Sequence, residues 1–161
     1  MNKIWKLIIS LVLPFIASAI GGLFTVSSVS TWYVDLVKPS FNPPSWLFGP
    51  VWTILYLLMG IALYLVWTKK FNKQAFTLFG IQLVLNALWS ILFFGLKQPL
   101  LAFIEIIILW VMILVTIIYF YKINKNSAYL LIPYLLWVSF AAILNLAIFI
   151  YCSKFIEISI N

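Results

Sequence analysis

The chain has no histidine, no arginine and a single cysteine, Cys152. Without a second cysteine no disulfide can form within one chain, and with no histidine and one cysteine a zinc site of the usual Cys/His kind lacks its ligands. The same gap removes the residue that most often ligates haem iron, leaving only Cys, Tyr or Met as weaker axial candidates. A Ser-His-Asp triad is excluded outright. Acids are nearly as scarce: Asp35, Glu105 and Glu157 are the whole set, so general acid–base work would fall to these three, to lysines or to tyrosines. No metal and no resident cofactor is expected from such a set. Charge of either sign is rare, at 8% of 161 residues, where a soluble domain carries roughly a quarter.

What fills the chain instead is apolar. Hydrophobic residues make up 66% of the sequence, which leaves too little polar surface to face water; the solvent must be largely lipid. The formal net charge of +7 would suit a nucleic acid, but the lysines are scattered between apolar runs. In that arrangement they read as cytoplasmic-side topology markers, and no nucleic-acid partner is expected.

A membrane-spanning helix needs about 20 mostly apolar residues. Five segments qualify, at about 7–26, 46–67, 75–96, 100–121 and 128–151. Backbone groups in lipid must satisfy one another, so these runs are helices rather than strands. The fold class is therefore an all-α integral membrane protein, a single domain of five transmembrane helices with the lipid bilayer as its partner. With five crossings, Lys3, Lys6, Lys69, Lys70, Lys73, Lys122 and Lys125 share one side, and Lys38, Lys97 and Lys154 lie on the other, partly offset by Asp35 and Glu157. That bias puts the N-terminus in the cytoplasm and the C-terminus outside. The Lys-, Asn- and Ile-rich, Arg-free composition suggests a bacterial cell membrane. Ala17-Ser18-Ala19 resembles a signal-cleavage site, but apolar sequence continues through Gly21-Gly22-Leu23-Phe24, which favours an uncleaved first helix.

The informative connection is the first, residues 27–45, long for a protein otherwise built with tight turns. It holds Trp32-Tyr33 and then Pro39, Pro43 and Pro44, and the prolines fix φ and restrict their neighbours. A stiff loop with aromatic side chains can cover a mouth or stack on a flat ligand, and Trp and Tyr also settle at membrane interfaces without any ligand. The prolines favour a lid.

The run Trp32-Tyr33, Lys38-Pro39-Ser40-Phe41-Asn42-Pro43-Pro44 and Pro50-Val51-Trp52, followed by Leu55-Tyr56 and Gly60, resembles the translocator protein family. Its members are also called tryptophan-rich sensory proteins or peripheral-type benzodiazepine receptors. Asn86-Ala87-Leu88-Trp89-Ser90 with Phe93-Phe94 agrees in the third helix, and Pro133-Tyr134-Leu135-Leu136-Trp137 with Phe140-Ala141 and Asn145 in the fifth. The resemblance covers essentially the whole chain. It implies a five-helix bundle, often a homodimer, with a pocket beneath the first loop for porphyrins such as protoporphyrin IX and for isoquinoline carboxamide and benzodiazepine-type drugs. In animal members cholesterol is also bound, and some bacterial members degrade protoporphyrin in light.

Several residues have both a functional and a structural reading. Asn86 is an amide in the middle of an apolar helix, where it either bonds a neighbouring helix or, as the resemblance implies, a ligand carbonyl. Trp52, Trp89 and Trp137 lie well inside their runs on three different helices; they are packing residues or, by resemblance, pocket residues alongside Tyr56, Pro43, Ser90 and Ala141. Trp32 and Tyr33 join them from the loop. Trp5, Trp67 and Trp110 read as interface or lipid-facing. Glu105 is the one acid inside a membrane run, a structural or pocket-edge group able to reach toward the headgroups near Lys97. Leu146, Tyr151 and Lys154 satisfy a loose sterol pattern of little specificity. The function expected is that of a membrane receptor or sensor binding porphyrin. A light-dependent porphyrin-degrading enzyme, with Trp52 and Trp137 as electron donors, and a transporter of tetrapyrroles or lipids are the alternatives.

Overall fold

The computed structural model describes the backbone of residues 2–160, with side chains described through Ser153. Lys154, used in the charge bias and in the sterol pattern, and Glu157 therefore lie outside the described side chains. Three of the helices begin at an asparagine whose side chain takes over an orphan backbone N–H. The α1 helix (Lys3–Val29) starts at Asn2, whose side chain accepts from the Ile4 N–H. A short turn of helix, α2 (Trp32–Asp35), lies in the first connection, and a 3₁₀ turn over Ser45–Leu47 leads into α3 (Phe48–Lys69). Asn72 caps α4 (Lys73–Ser90) by accepting from Ala75 N–H at 2.9 Å. The α4 helix continues into a π-helical turn, Ile91–Gly95. Lys97, in the left-handed region at φ 55°, turns the chain, and Pro99 opens α5 (Pro99–Ile123), where its missing N–H costs nothing. Asn124 separates α5 from α6 (Lys125–Leu130), and a turn at Leu131 leads to α7 (Ile132–Ile160).

Among the described residues five spans are long and apolar enough to cross a membrane: Lys3–Val29, Ser45–Lys69, Lys73–Gly95, Pro99–Ile123 and Lys125–Ser153. They exceed the sequence bounds by up to four residues at an end, because lysines and asparagine caps extend a helix past the point where hydropathy falls. Only the third stops earlier, at Gly95. No strand occurs among the described residues.

The α1 helix packs along α3 and α4, α4 along α5, and α5 along α7, while the short α6 closes one end against α3 and α5. The tightest seam is at Gly60, where a Cβ would come within 2.9 Å of the Ser10 carbonyl oxygen and 3.0 Å of the Leu11 Cα. Met59, Leu63, Phe79, Leu109, Ile113 and Phe120 form the core toward the lysine-rich end. A second core of Tyr33, Phe93, Phe94, Leu144 and Ile148 lies under the first loop. The outer surface is apolar too, with Leu23, Val84, Leu136 and Ile143 mostly exposed. In water such a surface would aggregate; in lipid it is the required one.

Two expectations change. Trp110 is only partly open to lipid: it packs against the core and its Nε1 donates to Ser139 Oγ at 2.7 Å. Glu105 does not reach the headgroups. It is buried, and neither carboxyl oxygen has a hydrogen-bond partner among the described residues.

Candidate ligand pocket

Helical periodicity brings one face of each of four helices to a single cavity of about 250 Å³ near the loop end of the bundle. Phe48, Trp52 and Tyr56 recur every four residues on α3. Trp137, Phe140, Ala141, Leu144, Asn145 and Ile148 do the same on α7. Trp89 and Ser90 come from the end of α4, and the π turn supplies Phe93 and Phe94. In a regular α-helix neighbours diverge by about 100°. The extra residue of the π turn lets both phenylalanines bury, their ring centroids 4.9 Å apart. The fourth wall is α1, with Ser18, Gly21 and Thr25.

The walls are aromatic and mutually braced. Trp52 stacks on Tyr56 at 5.5 Å and 26°, Trp89 on Phe93 at 5.2 Å and 17°, and Trp137 leans on Phe140 at 5.5 Å. Trp89 Nε1 donates to Asn145 Oδ1 at 3.1 Å, and Asn145 Nδ2 donates to the Pro99 carbonyl at 2.8 Å. These two bonds tie α4, α5 and α7 together behind the pocket. At its floor the Tyr56 hydroxyl donates to Asn86 Oδ1 at 2.6 Å, and Asn86 Nδ2 donates to the Tyr134 hydroxyl at 3.1 Å.

The roof is the first loop. Tyr33 is buried against Phe48, Phe93 and Phe94, and its hydroxyl donates to Asn42 Oδ1 at 2.6 Å. Burial pushes that hydroxyl's pKa up to about 12. The Lys38 ammonium donates to the carbonyls of Tyr33, Val34 and Leu36 at 2.6–3.0 Å and sits 5.1 Å over the Tyr33 ring. One lysine thus collects three carbonyls in and just after α2, whose four residues are too few to pair them internally.

Of the residues singled out from sequence, Tyr33, Trp52, Tyr56, Trp89, Ser90, Trp137 and Ala141 line the cavity. Trp32, Pro43 and Asn86 do not: Trp32 packs edge-on to Phe93 at 5.6 Å, Pro43 is half-buried in the loop, and Asn86 lies below the floor with both amide atoms bonded. Phe48, Phe93, Phe140, Leu144 and Asn145 line it and are not among the expected site residues. Continuing the i, i+3, i+4 spacing from Trp52 and Trp137 reaches Phe48, Phe140, Leu144 and Asn145. The α1 wall carries no such signal, being built of small residues.

The sequence matches the model of the TspO/MBR family over residues 10–151. It is 47% identical to the tryptophan-rich protein TspO of Archaeoglobus fulgidus over 150 residues, 92% of this chain and 97% of that one. It is 36% identical to the human translocator protein, over 82% of this chain and 81% of the other. It is 33% identical to the tryptophan-rich sensory protein of Cereibacter sphaeroides, over 90% of each.

Proposed function

We propose, from the premise that this chain belongs to the TspO/MBR family of integral membrane proteins, that it is a receptor- or sensor-type protein whose pocket takes flat aromatic ligands. The class is tetrapyrroles, with protoporphyrin IX the first to test, and isoquinoline carboxamide and benzodiazepine-type molecules would occupy the same place. The observation that carries this reading is the convergence of Trp52, Trp89 and Trp137, from three helices, on one cavity under a braced lid. Indole faces give a planar ligand both area and stacking, and Ser90 and the Tyr56 hydroxyl supply polar edges. A relative's name, tryptophan-rich sensory protein, agrees with a sensing role.

Size refines the proposal. A cavity of about 250 Å³ is slightly smaller than the roughly 300–1,000 Å³ that holds drug-sized ligands. An isoquinoline-type molecule would need small side-chain shifts. A tetrapyrrole would project past the lining residues Val26, Gly49 and Thr53, which are exposed at the pocket's edge. The lysine-rich end would face the cytoplasm of a bacterial cell, placing the lid outside.

A second reading, oxidation of bound porphyrin in light with dioxygen as the oxidant, is favoured by Trp52 and Trp137 both fronting the cavity, where an indole can donate an electron to an excited macrocycle. One experiment tests both: titration of the purified protein with protoporphyrin IX in light and in darkness, following Trp quenching and the porphyrin absorbance band. Saturable quenching in both supports the binding protein. A product band formed only in light, faster than with an inert membrane protein, supports the enzyme. Absence of saturable binding refutes the ligand.

A further inference from the structure

A second hollow, of about 430 Å³, runs along the outer side of α3 and α7. Ile54 and Leu58 of α3 face Pro133 and Leu136 of α7 across it, and Trp137 and Phe140 line both this hollow and the internal pocket. It exists because α3 and α7 do not pack on each other: α3 lies along α1 and α7 along α5, joined near one end through α6. Aromatic side chains bridge the gap, Phe48 to Trp137 and Trp52 to Tyr134, each at 6.2 Å.

The lining is aliphatic and aromatic, with no charged, hydroxyl or amide side chain to recognise a headgroup or a peptide backbone. Its lips, Ile54 and Leu136, are 57% and 64% exposed and open onto the membrane. Helices that dock in lipid use small residues so that backbones can approach, and the bulky lips here do the opposite. A narrow, flexible chain fits where a helix does not. We propose that this hollow seats one phospholipid acyl chain against Trp137 and Phe140, and that its occupancy sets how far those two side chains project into the pocket. The inference does not depend on what the pocket binds.

The test uses the full chain in phosphatidylcholine vesicles whose acyl chains carry bromine at mid-chain, which quenches an indole on contact. The difference between wild type and Trp137→Phe isolates the Trp137 emission. That component is expected to fall at least twofold in brominated vesicles, and to recover when Ile54→Phe or Leu136→Phe fills the hollow. A Trp137 component that bromine does not quench, as when a second copy of the chain covers the hollow, overturns the seat; so does equal quenching in both filled variants. The effect on the pocket is read from the maleimide labelling rate of Ala141→Cys in a Cys152→Ser background. Filling the hollow is expected to change that rate at least threefold, and an unchanged rate overturns the link to the pocket. Two filling variants at lipid-exposed positions guard against a folding defect in either one.

Discussion

Replacing Asn86 by leucine removes both hydrogen bonds that join α3, α4 and α7 below the pocket while keeping the side-chain volume similar. The two hydroxyls left behind differ. Tyr134 is fully buried, so its orphaned hydroxyl carries a desolvation cost of about 1–3 kcal/mol. Tyr56 borders the pocket, where water can reach it, and its loss is closer to the ~0.6 kcal/mol average for interhelical bonds in membranes. Together these give a destabilisation of about 1.5–3.5 kcal/mol, measured by equilibrium unfolding in mixed micelles with a denaturing detergent. Gln82 is the internal comparison: one turn away on the same helix, equally buried, with neither amide atom bonded among the described residues. Gln82→Leu should be neutral or stabilising, since it removes an uncompensated polar group. The cycle of Asn86→Leu with Tyr134→Phe should show coupling, because each removes the same bond. The reasoning fails if Asn86→Leu costs no more than Gln82→Leu, or if the two cycle mutations add without interaction.

Gly60→Ala forces a Cβ to within 2.9 Å of a backbone oxygen on α1 and should destabilise by about 1–3 kcal/mol. Gly80→Ala, with nothing within 4 Å, should stabilise by about 0.5–1 kcal/mol in the same assay. Tyr33 titrates at about 12 when folded and at 10 when free; above pH 10 the unfolded chain loses this proton and the folded one keeps it, so its stabilising effect is full below pH 10 and is lost as pH rises toward 12. Limited proteolysis of the first loop should accelerate over that window in wild type, and Tyr33→Phe should remove this component while cutting faster at neutral pH; an identical pH profile in the variant would remove Tyr33 from the lid's anchorage. The double variant Trp52→Phe with Trp137→Phe should retain porphyrin binding and slow any photodegradation, and unchanged degradation kinetics would exclude these indoles as electron donors.

Part of the site is legible in the sequence. Trp52, Trp89 and Trp137 are conspicuous there because interfacial tryptophans belong at helix ends and these lie inside apolar runs. Ser18, Gly21 and Thr25 are not, because small residues on an apolar helix are equally common in any close helix contact. Asn86 stands out for its polarity, yet polarity alone does not distinguish a ligand contact from a helix tie, and its partners Tyr56 and Tyr134 are 30 and 48 residues away along the chain. Trp110 looks lipid-facing in one dimension because Ser139, which engages it, is 29 residues distant.

Solvent, number of crossings and the kind of chemistry available all follow from the amino-acid sequence. Each of these is a sum over residues: hydropathy per run, the distribution of lysines, and the absence of histidine. Which faces meet is settled by packing in three dimensions. Packing places three tryptophans around one cavity, sets Asn86 beneath the floor, engages Lys38 in holding the lid, and leaves α3 and α7 apart with a hollow between them. Those outcomes depend on side-chain volume at particular crossings, such as the one Gly60 permits, and on a single π turn that re-aims Phe93 and Phe94. A one-dimensional pattern carries the period of each helix but not the rotation at which it meets its neighbours.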